Sequence, residues 1–372
     1  DVEVALAKAQ AKQKIIPEIA AQKIAEMAQI DQLSIDNINK SLEKTGHPLV
    51  PLIWELDRVC GAEAGGYIHW GATTQNITQT GKLLLVKQFH QVFLEKILKL
   101  LSVLSDLALE TKHYALPGRT HGQHAVPATF GYKVAVWIDE IIRHFHRFKN
   151  SEQRVFVTML GGGAGTMASV GMEGLETQKL MAEELGFTSM SMPARTIGDH
   201  LTEYILNLAM FAATSSKMAR EIYTLMKQEF GEVEEPVPDG AVGSSTMPQK
   251  RNPRNCQDIV AWAAELRTLV PMSLEAMQTE HEADKTTSMM INVAIDRSCE
   301  LANKIVDSSI YIFSDLKVFP DRMRKNLDLS GGLIMSEQIM LELGKKLGRQ
   351  RAHDVVYDAA QHSAKTGVDF IS

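Results

Sequence analysis

VKQFHQVFLEKILKLLSVLSDL, Val86 to Leu107, is the stretch that decides the fold class. Its apolar residues Phe89, Phe93, Ile97, Leu100, Leu104 and Leu107 recur at steps of three and four, the period of an α-helix and not the two-residue alternation of a strand. A seam that runs about six turns needs other helices to cover it. Leu201 to Phe230 repeats the pattern with Leu201, Tyr204, Ile205, Leu208, Phe211, Met218, Ile222 and Leu225, and Ile259 to Met277 is similar. Little of the chain alternates β-branched residues, so the spacing predicts an all-α protein built on a bundle of long helices.

The chain has 372 residues, 45% hydrophobic and 23% charged, which is enough for a large core and more than one domain. Its net charge of −6 comes without a Lys/Arg block, so the footprint expected for nucleic acid or an anionic membrane is missing. Cys60, Cys256 and Cys299 are too scattered, and odd in number, for a disulfide framework or a zinc site. No apolar stretch reaches the roughly 18 to 20 residues of a membrane span, and Asp1 opens directly into an amphipathic pattern. The reading is a reduced, cytoplasmic protein acting on a small molecule. Its 18 methionines fall mostly on the helical faces and read as core filling.

Glycine and proline divide these helices at short loops, where side chains can converge. LGGGAGT, Leu160 to Thr166, has no preceding strand pattern and no following Lys-Ser/Thr, so it reads as a glycine turn and not as a phosphate cradle. Three other loops are dense in polar groups. YIHWGATTQN carries His69, Thr73, Thr74 and Gln75; GRTHGQHAVP carries Thr120, His121, Gln123 and His124; GSSTMPQKRNP carries Ser244, Ser245, Lys250 and Asn252. A lone loop histidine is usually a surface or capping residue, but three donor-rich loops together outweigh that reading. No metal-ligand spacing or carboxylate cluster accompanies them.

Hydroxyls, amides and the N–H groups of helix starts bind carboxylates well, because a helix N-terminus carries about half a positive charge. A histidine exchanges protons near neutral pH, and a serine beside Lys250 and a helix dipole can act as a base toward a carbon-bound proton. The set suits proton abstraction next to a carboxylate. The resulting aci-carboxylate would be stabilised by Lys250, Asn252 and loop N–H groups, and a β-substituent would then be expelled.

GSSTMPQKRNP resembles the G-S-S-x-M-P-x-K-x-N-P signature of the fumarase/aspartase superfamily, which includes the adenylosuccinate and argininosuccinate lyases. HWGATTQNITQTG and GRTHGQHAVPATFG are similar to two further segments of that family, in the family's order, so the resemblance spans nearly the whole chain. It implies a three-domain all-α subunit whose central bundles join in a homotetramer, each active site drawing its segments from three subunits, and no metal or organic cofactor. Position by position it implies Ser244 as general base, His121 as the residue protonating the leaving group, and His69 as a second active-site histidine. It implies carboxylate binding by Thr73, Thr74, Gln75, Thr120, Lys250 and Asn252, and substrate contact by Met247. Gln123, Ser245 and Arg195 complete the expected site.

The chain departs from the pattern at Gln257, where the family commonly has a glutamate that pairs with the catalytic histidine, and at Asn76, where it has an acid. It departs again at TIGDH, Thr196 to His200, where the family frequently has Gln-Arg-Asp-Arg: either Arg195 or His200 substitutes, or the substrate differs. The expected domains are 1–91, N-terminal and helical; 92–327, the central bundle; and 328–372, an incomplete C-terminal helical domain. The activity implied is β-elimination releasing fumarate from an N-substituted aspartate, as in the adenylosuccinate lyase-like branch that EHEAD, Glu280 to Asp284, also resembles. The alternative is a 3-carboxy-cis,cis-muconate cycloisomerase-type enzyme, suggested by Trp70, HPLVPLIWEL and Gln257. A non-enzymatic relative of the superfamily is disfavoured by Ser244, Lys250 and His121.

Overall fold

The computed structural model describes residues 1–238, 240, 246–247 and 249–370, so Ser244 and Ser245 lie outside the described residues. Among those described are thirteen α-helices and three two-stranded sheets, which makes the protein all-α as expected. The helices are α1 (Val2–Lys12), α2 (Glu18–Met27), α3 (Ile35–Thr45), α4 (Val50–Cys60), α5 (Thr74–Glu110), α6 (Phe130–Val155), α7 (Gly174–Leu185), α8 (Asp199–Leu225), α9 (Arg254–Glu275), α10 (Lys285–Ser314), α11 (Pro320–Asp328), α12 (Ser336–Leu347) and α13 (Arg349–Thr366). Strands β1 (Ala115–Thr120) and β2 (Gln123–Thr129), β3 (Val157–Thr158) and β4 (Thr188–Ser189), and β5 (Val233–Glu234) and β6 (Lys317–Val318) pair in that order. No described helix is long and apolar enough to cross a membrane.

Five helices exceed twenty residues, where periodicity had revealed three: α6, with 26 residues, and α10, with 30, join α5, α8 and α9. Two compact units divide the chain. The first comprises Asp1–Phe93, His146–Ala209 and Thr268–Glu300, and the second comprises Leu94–Phe145, Met210–Arg267 and Leu301–Ser372.

In the first unit, local chemistry sets the helix ends. Ser34 caps α3 by accepting the Asn37 N–H, and Gly46 ends it in the left-handed region at φ +60. Helix α4 begins with Pro51 in its first turn, and its Leu49 and Val50 N–H groups donate to His47 Nδ1 at 3.3 and 3.1 Å. One core cluster sets Ile16, Ala20 and Ile24 against Leu56 and Ile68, and another sets Val2 and Leu6 against Ile77, Leu160 and Met181. A ring knot of His90, Phe93, Phe148, Phe156 and Tyr204 fills the long-helix part, with centroids 5.1 to 6.2 Å apart. Burial lowers the His90 pKa there, against the opposing hydrogen bond to Glu152.

In the second unit the chain from Ala115 to Thr129 corrects the reading of GRTHGQ as a loop between helices. It is an antiparallel hairpin that pairs Ala115 with Thr129 and closes by pairing Thr120 with Gln123. Both central residues of its turn lie at positive φ, His121 at +52 and Gly122 at +77, as a type I′ turn requires. His-Gly takes the part that Asn-Gly usually plays. The strands were hidden because Pro117, Gly118, Arg119 and Pro127 replace the usual β-branched residues, and Gly118 is needed because a Cβ there would meet the Val126 carbonyl at 2.6 Å. A strand also precedes LGGGAGT after all: β3, only two residues long. The glycine turn stands, with Gly162 at φ +73 and Gly165 at φ +77.

Candidate active site

The first unit gathers Thr73, Thr74, Gln75 and Arg195 on one cavity of about 710 Å³. Arg195 Nε–H donates to Gln75 Oε1 at 3.0 Å, the Gln75 amide returns a bond to the Arg195 carbonyl at 2.8 Å, and Arg195 Nη1–H donates to the Gly163 carbonyl. The planar fork is held before any ligand arrives. Gln75 Nε2 also donates to Gln79 Oε1, whose own amide nitrogen lies 3.3 Å from His200 Nε2. An amide N–H facing Nε2 makes that nitrogen the acceptor and puts the His200 proton on Nδ1. His200 is buried, which pushes its pKa down to about 4, so it supports this chain of amides as a neutral ring.

His47 lines the same cavity and was not singled out from the sequence. Its Nδ1 accepts the two N–H groups that open α4, so Nε2 carries the proton, directed at Thr74 Oγ1 at 3.5 Å. Asn76 is wholly buried and accepts N–H groups from Thr73 and Gly162 on one oxygen, at 3.0 and 3.2 Å. Its task is to tie the first segment to the glycine turn, and an amide oxygen performs it without a buried charge.

His69 stands just before these threonines at φ +63, a left-handed conformation that is uncommon outside glycine. Its N–H donates to Glu3 Oε2 at 3.1 Å, and its Nδ1 lies 2.7 Å from Glu3 Oε1. Gln10 Nε2 donates to the next carbonyl, that of Trp70, at 2.8 Å. Glu3 and Gln10 lie seven residues apart on α1, on one face of the helix. Neither was identified from sequence, because nothing local links α1 to a turn more than sixty positions away. A larger cavity, about 1060 Å³, lies between α1 and α2 of this unit but holds none of the candidate residues.

The second unit carries Thr120, His121 and Gln123 at the exposed hairpin tip, and Lys250, Met247 and Asn252 on the signature loop. Arg119, one residue before the tip, is locked to the fully buried Glu232 by two bonds at 3.1 and 2.5 Å, and its guanidinium lies 4.9 Å from the Phe230 ring centroid. Asn326 Nδ2 donates to the same carboxylate at 2.7 Å. Burial, then the Arg119 charge, lowers the His124 pKa. Three residues on, the buried Glu235 accepts N–H groups of Asn255 and Cys256 at 3.0 and 3.1 Å. A carboxylate thereby caps α9 where it leaves the signature loop. Glu232 and Glu235 hold the bases of the two segments from a single stretch of chain, and sequence reading missed both. Burial, then the Glu235 charge, raises the Cys256 thiol.

Residues 1–266 match the protein family described as Lyase, and residues 332–372 match Adenylosuccinate lyase C-terminus. The N-acetyl-S-(2-succino)cysteine lyase of Dickeya dadantii is 35% identical over 370 residues, covering 100% of this chain and 81% of that protein. The adenylosuccinate lyase of Methanocaldococcus jannaschii is 37% identical over 362 residues, covering 96% and 78%. Among solved structures, fumarate lyase from Mesorhizobium sp. BNC1 is similar with a TM-score of 0.91 at 35% identity, over 99% of this chain and 84% of that one. The 3-carboxy-cis,cis-muconate lactonizing enzyme from Pseudomonas putida follows with a TM-score of 0.89 at 31% identity, over 99% and 83%.

Proposed function

Because the chain belongs to the fumarase/aspartase superfamily of lyases, in its adenylosuccinate lyase-like branch, we propose that it releases fumarate from an N-substituted aspartate by β-elimination. The observation that carries this reading is the Arg195 and Gln75 pair on a cavity walled by threonine hydroxyls. These groups suit a substrate carboxylate and hold it without rearranging. Ser244 takes the Cβ proton. The electron pair passes into the adjacent carboxylate as an aci-carboxylate stabilised by Lys250 and Asn252. It then returns to form the double bond, and the Cα–N bond breaks. A histidine, His121 or His69, hands the departing nitrogen its proton.

The working enzyme is a homotetramer in which neighbouring subunits complete each site. The exposure of Thr120, His121 and Gln123 at the hairpin tip supports this, as do the exposed apolar residues Leu85, Val92, Leu98 and Leu109 along α5. The similarity to the lactonizing enzyme and the uncharged Gln257 favour a second reading, a muconate cycloisomerase-type reaction.

The test is an ultraviolet assay of fumarate release from a panel of N-succinyl amines, with an S-succinyl thiol added because of the Dickeya relative and 3-carboxy-cis,cis-muconate as the competing substrate. Fumarate from an N-succinyl amine, reduced about 100- to 10,000-fold in Ser244→Ala, is the expected result. Turnover of the muconate alone would replace the first reading with the second.

A further inference from the structure

We propose that Glu3 is a positioning residue that makes His69 Nε2 the nitrogen that moves the proton. This deepens the elimination reading and rests on it. The carboxylate gives both oxygens to one residue: Oε2 to the His69 backbone N–H at 3.1 Å and Oε1 to ring Nδ1 at 2.7 Å. An ionised carboxylate only accepts, so Nδ1 carries hydrogen and Nε2 is the ring atom left for chemistry.

The turn itself is strained, with His69 at φ +63. For an L-residue this conformation is sterically unfavourable. Glu3 and Gln10 restrain it from one face of α1, holding the N–H of His69 and the carbonyl of Trp70. A neutral amide or a backbone carbonyl could staple such a turn at less cost than a buried carboxylate. What the carboxylate adds is a fixed tautomer and a counter-charge for the imidazolium, as the aspartate of a serine protease triad does.

Among the described residues, no carboxylate is bonded to the His121 ring. It sits exposed at the tip of a two-residue turn, and residue 257, where the resemblance implies a partner glutamate, is a glutamine. The histidine–carboxylate couple seen among the described site residues is His69 with Glu3. In the reaction, His69 as imidazolium gives its Nε2 proton to the departing nitrogen, which receives the electron pair of the broken Cα–N bond. The neutral ring stays bonded to Glu3 through Nδ1–H.

Two measurements decide it. In steady-state kinetics on the substrate found above, Glu3→Gln should lower kcat on the order of 100-fold with KM changed only a few-fold, and Glu3→Asp should recover at least about tenfold of that loss. Wild-type kcat in Glu3→Gln overturns the proposal. The second needs no activity: nitrogen NMR of the wild-type protein with labelled histidine rings should show neutral His69 as the Nδ1–H tautomer. His47, which must be Nε2–H, serves as the internal reference. An Nε2–H tautomer at His69 overturns the proposal even if a Glu3 variant fails to fold. Absence of turnover on every substrate defeats the elimination reading, while the tautomer still decides the role of Glu3.

Discussion

Arg195 and Gln75, 120 positions apart, satisfy each other twice, side chain to side chain at 3.0 Å and amide to carbonyl at 2.8 Å. The guanidinium is aimed by a neighbour that is itself a candidate ligand, so on the proposed reading substrate capture depends on both. Arg195→Lys loses the fork and should raise KM about 10- to 100-fold, the equivalent of one to two charge-assisted hydrogen bonds. Gln75→Ala should act in the same direction by freeing Arg195. Steady-state kinetics with succinate as competitive inhibitor measures both, and an unchanged succinate affinity in Arg195→Lys would remove Arg195 from the site.

At the hairpin tip, His121 meets a backbone demand, a positive φ, and is also a candidate for proton transfer. Asparagine tolerates the left-handed region but cannot exchange a proton, so His121→Asn should retain the melting temperature. His121→Val should destabilise by about 1–2 kcal/mol. If His69 moves the proton, His121→Asn loses less turnover than His69→Asn. Thermal melts and kcat on the same samples separate fold from chemistry.

His200 ties stability to pH. Its folded pKa is depressed to about 4 by burial, below the ordinary value of about 6.5. As pH falls, the unfolded chain takes up the proton first. The contribution of the neutral buried ring is complete above about 6.5 and declines as pH falls toward about 4, reaching on the order of 2 kcal/mol lost by pH 5. Urea midpoints at pH 7 and pH 5 should therefore differ more in the wild type than in His200→Gln. Equal differences would mean that another group dominates.

Glu235 holds the first N–H groups of α9. Glu235→Gln keeps one acceptor where two were used, leaving a buried N–H without a partner at a cost of about 1–3 kcal/mol. Denaturant unfolding should report that loss. Turnover should drop as well, because Lys250 and Asn252 directly precede the cap. Full activity in a destabilised variant would confine Glu235 to a purely structural role.

The legible part of the fold was the part with a clean seam. Helix α5 buries Phe93, Ile97, Leu100 and Leu104 in successive apolar steps after the buried polar His90, and α6 follows its row of Phe130, Val134, Trp137 and Ile141 with the buried polar His144. Helix α10 dilutes its seam with Ser298 and Ser309, both buried, so hydrophobic spacing alone passes over it. The polar loops were legible because their residue types are unusual for solvated loops. Their supports were not: Glu3, Glu232 and Glu235 look like surface acids in a sequence, and only the folded chain shows each carboxylate buried against a partner. The signature loop kept its local pattern in sequence, though Ser244 and Ser245 lie outside the described residues.

The turn at Thr120 to Gln123 also bears on how such a protein can change over generations. The codons for histidine and asparagine differ by a single base, and both side chains fit the left-handed slot at position 121. One point mutation therefore separates a hairpin that can exchange a proton from one that cannot, with no penalty in folding to expose the change to selection. Position 121 can therefore drift between these two side chains without loosening its turn, whereas a change at Glu3 would release the strained turn at His69.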